Sequence, residues 1–504
     1  MGYYFISIGG SGTRVLESVA HLCAAGLLPN RNGEGHFYAM SIDPDKGNGN
    51  LTRTNTLLNC LDKFQHIKVG NGTPLLKTPL KLAQPKFNWS PIDLGKRLDD
   101  IISYTNYAHM PIGKLYESLY TNEERTTILD QGFRGHPSIG AAVMSMMATA
   151  KVQSAWSNFI NDVNSDVKIH GSAQIFLAGS IFGGTGAAGL PTIARLLREI
   201  FHNHCLSGKV RIGGALLLPY FSFAPPPGHE TDIGLFASAD NFLTNTKAAL
   251  RYYADAEDSG FDSMYFIGDE TMLPFPNFSI GAATQRNDAH IVDFFAAMAA
   301  VHFYSINDGQ HCYYISRNNE TEFEWEDLPN VELHDDNNVS MKERLTQFVR
   351  FIFAYLHIVK PVVSKLESGK EPINGYPWYK NYWLKDNIKI KDDEVSNFQA
   401  YAELFVQWLN QVEHSTGTRS VKLINPGAFR INNKQAEIDP NLFSTLDYGN
   451  SNLSIAGVRS YMAKGEGTVI FGRRFGGHKQ IEGTQGFGLF LRRLYDSCKE
   501  THKK

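Results

Sequence analysis

The 504-residue sequence has few cysteines, no long uninterrupted apolar run and little net charge. Its five cysteines are far apart and odd in number, which argues against a disulfide framework and favours a reducing cytoplasm. The longest apolar stretch, Ile291 to Tyr304, contains Asp293 and His302 and is too short to span a bilayer. A net charge of −3 gives no reason to expect nucleic acid as a partner of the whole chain.

Two other familiar signals are missing. The first residues, MGYYFISIGG, have no basic segment ahead of an apolar one, so we expect no signal peptide. A lone HNHC group at residues 202–205 has no second pair of ligands nearby, so we expect no metal site built from side chains.

The sequence does contain a regular alternation of strand-like and helix-like segments. Apolar runs at 3–8, 36–42, 173–178 and 263–268 alternate with helical stripes, which predicts a doubly wound, mostly parallel α/β sheet. Residues 45–95, rich in Asn, Thr, Lys and Pro, are predicted to form loop or insertion. A long apolar helix is predicted to begin near Arg286.

Glycine is concentrated directly after two of the predicted strands. The stretch GSIFGGTGAAGLP (179–191) has five glycines from Gly179 to Gly189, and SIGGSGTRV (7–15) repeats its strand, glycine turn and helix. Exposed backbone N–H groups and the positive end of a helix dipole make such a turn an anion site. Two of these turns in one sheet predict a site for two parts of one polyphosphate.

Three known phosphate-binding designs compete for these turns. A dinucleotide fingerprint needs glycine where Val15 stands, because its third glycine allows close packing of helix on strand. A P-loop needs lysine where Thr185 stands, because that charge reaches the terminal phosphates. The third design binds phosphate almost wholly through the backbone and belongs to the tubulin/FtsZ superfamily.

Four stretches resemble that superfamily, and specifically a bacterial tubulin-like family. GGTGAAG (183–189) is similar to the tubulin signature GGGTG[ST]G, from which it departs at Phe182 and Ala187. GGSGTRV (9–15) resembles the first phosphate loop of FtsZ, and MSIDPD (40–45) resembles its INTD stretch. QGFRGHPSIG (131–140) resembles the loop that closes over the terminal phosphate. The resemblance covers about residues 1–360 and implies a tubulin/FtsZ-like GTP-binding domain.

The resemblance implies which residues hold the phosphates. They are Gly9, Gly10, Ser11, Gly12 and Arg14 in the first loop, Gly135 and Pro137 facing the terminal phosphate, and Gly183, Gly184, Thr185 and Gly186 around the diphosphate.

The resemblance also implies contacts to the sugar and base. Asp43 would neighbour the ribose and base edge, although an aspartate before Pro44 also serves as an ordinary turn residue. Glu230 would contact the ribose. Asn287 and Asp288, at the start of the predicted central helix, would read guanine or merely cap that helix.

In tubulins, catalytic acids on a loop after the central helix reach the nucleotide of the neighbouring subunit. The corresponding region here offers Asp327, then Glu326 and Glu324, as candidate catalytic residues. Residues 318–343 contain nine acids against one lysine, and such a run also suits a plain solvated face.

The C-terminal segment has the opposite charge. Residues 451–504 contain ten Lys or Arg against four acids, which suits an exposed basic face, a contact with the acidic run or a partner protein better than nucleic acid. We therefore predict a nucleotide-binding domain over 1–285, a central helix over 286–305, a second α/β domain over 306–450 and a basic segment over 451–504.

These expectations combine into one functional hypothesis with two alternatives. The first is a cytoplasmic, bacterial-type protein that binds GTP or GDP with Mg²⁺ and self-assembles into a filament, with GTP hydrolysis completed by the acidic loop of a neighbouring subunit. The second is a non-hydrolysing nucleotide-binding scaffold or sensor that engages a partner protein. The third is a dinucleotide-dependent oxidoreductase.

Overall fold

A computed structural model describes most of the chain as two compact units. The first takes in described residues of Met1–Ala20, Leu28–Thr56 and Leu80–Thr321, and the second those of His21–Leu27, Leu57–Pro79 and Glu322–Lys504. Neither unit is continuous in sequence, and the domain limits given above stay a prediction. The described residues are 2–30, 35–70, 73–133, 135–146, 154–223, 239–256, 259–270, 272–275, 281–306, 311–315, 339–370, 373, 376, 378–415, 430–431, 434–435 and 486–498.

Strands and helices alternate in the first unit, and the element labels run in chain order through both units. In chain order the strands are β1 (Gly2–Ile8), β2 (His36–Ile42), β3 (Lys68–Gly70), β4 (Thr73–Pro74), β5 (Leu80–Leu82), β6 (Asn88–Trp89), β7 (Ala173–Ser180), β8 (Val210–Leu217), β9 (Phe221–Phe223), β10 (Ser263–Ile267), β11 (Leu273–Phe275), β12 (His311–Ile315), β13 (Arg430–Ile431) and β14 (Lys434–Gln435). The helices are α1 (Gly9–Ala24), α2 (Gly49–Gln65), α3 (Leu98–Ile101), α4 (Pro111–Leu119), α5 (Asn122–Thr126), α6 (Pro137–Ser145), α7 (Ala155–His170), α8 (Gly184–Asn203), α9 (Phe242–Asp255), α10 (Ile291–Ser305), α11 (Met341–Ala354), α12 (Lys360–Glu367), α13 (Asp393–His414) and α14 (Phe487–Ser497).

The main sheet confirms the predicted α/β class. Its strand order is β12-β10-β8-β7-β1-β2-β5, with β6 also paired to β2, and every pairing in it is parallel. Every residue of β1, β2 and β7 is buried, which explains their continuous apolar character. Connections from β1 run toward one edge and those from β7 toward the other, so the order reverses between these two strands.

Helices cover both faces of this sheet. Phe176 of β7 packs its ring on Phe303 of α10, with centroids 5.6 Å apart. The neighbouring residues Ile175 and Leu177 belong instead to a core cluster with residues of α6, α7 and α8. Because successive side chains of a strand point to opposite faces, α10 covers one face and the α6–α8 group covers the other.

Two local predictions are wrong. Residues 45–95 contain α2, because the Asn48 side chain accepts the N–H groups of Asn50 and Leu51 and so caps the helix. The long apolar helix begins at Ile291 and not near Arg286, because His290 caps it by accepting the N–H of Val292.

The described part of the second unit is mainly helical. Helix α11 continues through a π-helical turn at Tyr355–Val359 into α12. Its core is aromatic: Phe398 of α13 packs on Phe487 of α14, with ring centroids 6.0 Å apart. Arg493 is buried there with its guanidinium 4.0 Å from the ring centroid of Tyr382, so this cation does not contribute to the exposed basic face predicted for 451–504.

None of the helices described here is long and apolar enough to cross a membrane.

Replacing Gly12 with alanine should test how tightly α1 packs on β7. A Cβ at Gly12 would lie 2.2 Å from the carbonyl oxygen of Ala178, a backbone atom that cannot move away alone. We expect Gly12→Ala to lower the free energy of unfolding by about 3 kcal/mol in denaturant titrations. Gly10→Ala, on the same helix, should change it by less than about 1 kcal/mol; equal effects of the two would contradict this packing.

Candidate functional site

One pocket lies where the strand order reverses, at the carboxyl ends of β1 and β7. In a doubly wound sheet this is the position at which ligands bind. The pocket is open to solvent and has a cavity volume of about 150 Å³. Its lining comes from loops that are far apart in sequence: Ile8, Gly9, Gly10, Ser11, Arg14, Asp43, Asp45, Asn48, Gln131, Gly132, Phe133, Gly135, Ser180, Phe182, Gly183, Gly184, Thr185, Gly186, Phe221, Phe223, Phe242, Gln285 and Asn287.

The floor of the pocket is formed by the first turns of α1 and α8. Both helices begin at glycine, and the two turns touch: a Cβ at Gly9 would lie 3.1 Å from the Cβ of Thr185. Gly9 has a φ of +70°, a conformation that favours glycine. Gly183 precedes α8 with no side chain to cap it, so N–H groups of that first turn are left for an anion.

Some glycines of these loops serve packing instead of leaving room for a ligand. A Cβ at Gly12 would overlap the backbone of β7, and a Cβ at Gly186 would lie 2.4 Å from the carbonyl oxygen of Ser180. A Cβ at Gly184 would lie 2.9 Å from the backbone nitrogen of Gly135. The glycines therefore bring the two helices and the loop at 131–137 together around one space.

Most of the residues predicted from sequence lie around this pocket. Gly12, Pro137 and Asp288 are described but do not line it. Glu230 and the three candidate catalytic acids Glu324, Glu326 and Asp327 lie outside the described residues. The predicted residues that do line it are Gly9, Gly10, Ser11, Arg14, Asp43, Gly135, Gly183, Gly184, Thr185, Gly186 and Asn287.

A polar wall stands at the β2 end of the floor and consists of Asp43, Asp45, Asn48, Gln285 and Asn287. The Asn48 amide donates to Gln285 Oε1 at 2.8 Å, and Asp45 Oδ2 accepts the N–H of Ala282 at 2.6 Å. These bonds hold the loop ahead of α10 against the loop after β2.

Asn50, behind the polar wall, has an unused donor. Its Oδ1 accepts the N–H of Asn287 at 2.7 Å, but its Nδ2 is buried without a hydrogen-bond partner. A Cβ at Gly10 would lie 3.5 Å from this nitrogen, so the donor is next to the glycine floor. A buried donor without a partner is costly, and Asn50 itself does not line the pocket.

Burial dominates the electrostatics of Asp43. It raises the pKa of this carboxyl to about 8, against a smaller lowering by the hydrogen bond from the N–H of Asp45. Burial also raises the pKa of Asp45, and the hydrogen bonds that its carboxylate accepts from backbone N–H groups lower it by less. The Asp43 side chain is therefore largely protonated at neutral pH in the absence of a cation.

Arg14 was predicted as a phosphate residue, and the structure gives its guanidinium partners within the protein. Its Nε donates to Asp293 Oδ2 at 3.0 Å, another nitrogen donates to the Tyr220 hydroxyl, and that hydroxyl donates to Asp293 Oδ1 at 2.7 Å. Burial alone would lower the pKa of Arg14, but Asp293 and Tyr220 outweigh it and raise the pKa above its usual value. The cation is thus compensated by a buried carboxylate.

An aromatic wall stands at the β8 end of the floor and consists of Phe182, Phe221, Phe223 and Phe242. The rings pack on one another, with centroids 4.6 Å apart for Phe182 and Phe242 and 5.5 Å apart for Phe223 and Phe242. Phe223 is partly exposed, and the other three are buried.

Sequence reasoning missed Asp293, the polar wall apart from Asp43 and Asn287, and the whole aromatic wall. A signal existed for Asp293, because a carboxylate inside an apolar helix needs a buried cation as partner. No comparable signal pointed to Asn48 or Gln285, which meet only after the chain has folded.

No protein-family model and no curated protein matches this sequence. Within the described part of the chain, no group of three or more histidine, cysteine or acidic side chains is arranged to hold a metal ion.

Replacing Asp43 with asparagine should flatten the pH dependence of stability. The folded-state pKa of about 8 lies above the ordinary value of 3.8, so between them the folded state holds the extra proton and stability falls as pH rises. In this window the free energy of unfolding of the wild type should decrease with pH more steeply than that of Asp43→Asn. The two slopes should differ by about 1.4 kcal/mol per pH unit. Denaturant titrations between about pH 5 and pH 7 measure this; parallel curves would contradict the raised pKa.

Proposed function

We propose that this protein binds a nucleoside polyphosphate in the pocket, with the phosphate chain lying across the first turns of α1 and α8. The observation that carries the proposal is the meeting of two glycine-started helices at the point where the strand order reverses. Their N–H groups and dipoles attract anions, and glycine lets phosphate oxygens approach the backbone.

Guanine nucleotide is the ligand class that the resemblance to tubulin and FtsZ favours. The four stretches on which that resemblance depends are far apart in sequence, yet each contributes residues to this one pocket: Gly9 to Ser11, Asp43 and Asp45, Gln131 to Phe133 with Gly135, and Gly183 to Gly186. Such convergence supports a tubulin/FtsZ-like nucleotide site.

Mg²⁺ fits this site as a companion of the phosphates. The pocket offers two carboxyl groups, Asp43 and Asp45, and one already compensated cation, Arg14. Bound with the nucleotide, Mg²⁺ would neutralise phosphate charge that the side chains leave unbalanced. The two aspartates are the side chains that would face it, with phosphate oxygens and water as its other ligands.

Self-assembly and hydrolysis complete the proposal. An acidic loop from a neighbouring subunit, with Asp327 as first candidate and Glu326 and Glu324 beside it, would polarise the attacking water. A scaffold that binds nucleotide without hydrolysis and engages a partner protein is the alternative if no turnover occurs.

A dinucleotide is the second candidate ligand, and two observations favour it. The strand order around β1 and β7 is that of dinucleotide-binding sheets, and Asp43 follows β2, where such proteins hold a ribose. Against it, the third glycine of the fingerprint is replaced by the fully buried Val15, and a second glycine-started helix faces the same pocket.

Gly183→Val should separate phosphate binding from folding. The backbone at Gly183 (φ −88°, ψ 179°) accepts valine, and a Cβ there would meet mainly the rotatable hydroxyl of Ser180 at 2.9 Å. Its bulk over the first turn of α8 should weaken GTP binding by about 100-fold, the loss of one or two charge-assisted hydrogen bonds. Calorimetry with GTP, ATP and NAD measures this and ranks the ligands.

The matched control is Thr192→Val on the same helix, outside the pocket, which should leave binding unchanged. Unaltered GTP affinity in a folded Gly183→Val protein would contradict the proposed phosphate site. Equal affinity of the wild type for GTP and ATP would contradict the guanine preference, and stronger binding of NAD would favour the dinucleotide candidate.

Asp327→Ala should separate hydrolysis from binding. An acid acting on a neighbouring subunit adds nothing to nucleotide affinity in the monomer, so GTP affinity should stay within about twofold. Phosphate release should fall about 100-fold, and in the wild type it should rise per molecule with protein concentration. Glu324→Ala and Glu326→Ala control for loss of negative charge. If the wild type releases no phosphate at any concentration, the GTPase hypothesis is wrong and the non-hydrolysing scaffold is favoured.

A further inference from the structure

The pocket has two chemically different ends. The polar wall follows β2, whereas the aromatic wall follows β7 and β8 and includes the first residue of α9. In the sheet order β8-β7-β1-β2, these ends are three strand spacings apart, about 14 Å. The glycine floor lies between them.

We propose that the base of the nucleotide stacks on the aromatic wall, with the phosphate chain running from there across the floor toward the polar wall. This inference rests on the proposed nucleotide site and assigns its orientation and its ring-binding residues. It moves the base to the end opposite Asn287, and so replaces the guanine-reading role predicted for Asn287 and Asp288.

The composition of each end supports this direction. A planar base offers two apolar faces, and aromatic side chains are the groups that bind such faces whatever the base. In the aromatic wall, Phe223 is partly exposed and packs on the buried ring of Phe242. The four rings of this wall do not favour phosphate binding, because a phosphate would lose hydration at an apolar surface without gaining hydrogen bonds.

The opposite end suits the phosphates and their cation. Asp43 and Asp45 supply carboxyl oxygen atoms, and the polar wall offers no aromatic ring on which a base could stack. The loop at 131–135 reaches the same part of the pocket, since a Cβ at Gly281, next to Asp45, would lie 3.1 Å from the Cβ of Gln131. A terminal phosphate with Mg²⁺ therefore has ligands there.

The test compares GTP with inorganic triphosphate, which carries the phosphates without a base. Phe223→Ala should weaken GTP binding by about tenfold, as expected when a base loses an aromatic partner, and leave triphosphate binding within about twofold. Phe223→Trp should keep GTP affinity, and its added tryptophan emission should be quenched by GTP but not by triphosphate.

Two matched variants control the test. Tyr252→Ala, an exposed aromatic on α9 outside the pocket, should change neither affinity. Asn287→Ala, at the polar wall, should change the affinities for GTP and triphosphate by the same factor. Phe223→Trp also covers the case in which Phe223→Ala fails to fold.

The outcomes distinguish this inference from the function on which it rests. Loss of GTP binding alone in Phe223→Ala, with selective quenching in Phe223→Trp, supports the stacking site. Equal effects of Phe223→Ala on both probes, no effect on either, or a GTP-specific loss in Asn287→Ala would overturn it while the phosphate site stands. A wild type that binds neither probe would overturn the proposed function itself.

Discussion

Helix α1 approaches β7 so closely that a methyl group at Gly12 would lie 2.2 Å from the carbonyl oxygen of Ala178. The same constraint recurs at Gly186, next to the backbone of Ser180. Only glycine fits at both positions. Because of these two close contacts, α1 and α8 start side by side at the carboxyl ends of β1 and β7. Their first turns then share a space into which backbone N–H groups can donate, and the first turn of α8 has no side-chain cap. The pocket is thus a consequence of helix–strand packing.

The proposed phosphate site has little free positive charge. Arg14 is the one cationic side chain among the described lining residues, and its charge is compensated by Asp293. Asp43 is neutralised by its own burial, which raises its pKa. In the proposed site, attraction for phosphate would therefore come from backbone dipoles and from any cation that accompanies the ligand. Such a site depends on glycines and on the geometry of the turns, and less on the identity of side chains.

The same distinction explains how much could be predicted from the sequence. The parallel sheet and the two glycine turns were predictable because buried strands and glycine-started helices leave local patterns, as at β1 and β7. Helix α2 was missed because Asn48, which caps it, looks like a loop residue until its contacts are known. The partner of Arg14 and the aromatic wall depend on residues far apart in sequence, as with Asp293 and Arg14, 279 positions apart. Contacts between residues so far apart cannot be predicted from motif spacing along the chain.

The central claim is that a nucleotide's phosphates lie against the backbone N–H groups of the first turns of α1 and α8. Amide hydrogen exchange, followed by mass spectrometry with and without GTP and Mg²⁺, measures those groups directly. Binding should slow exchange in peptides covering residues 8–13 and 182–187, and inorganic triphosphate should protect the same peptides. Protection confined to other parts of the chain, with these two segments exchanging at unchanged rates under saturating nucleotide, would contradict the account.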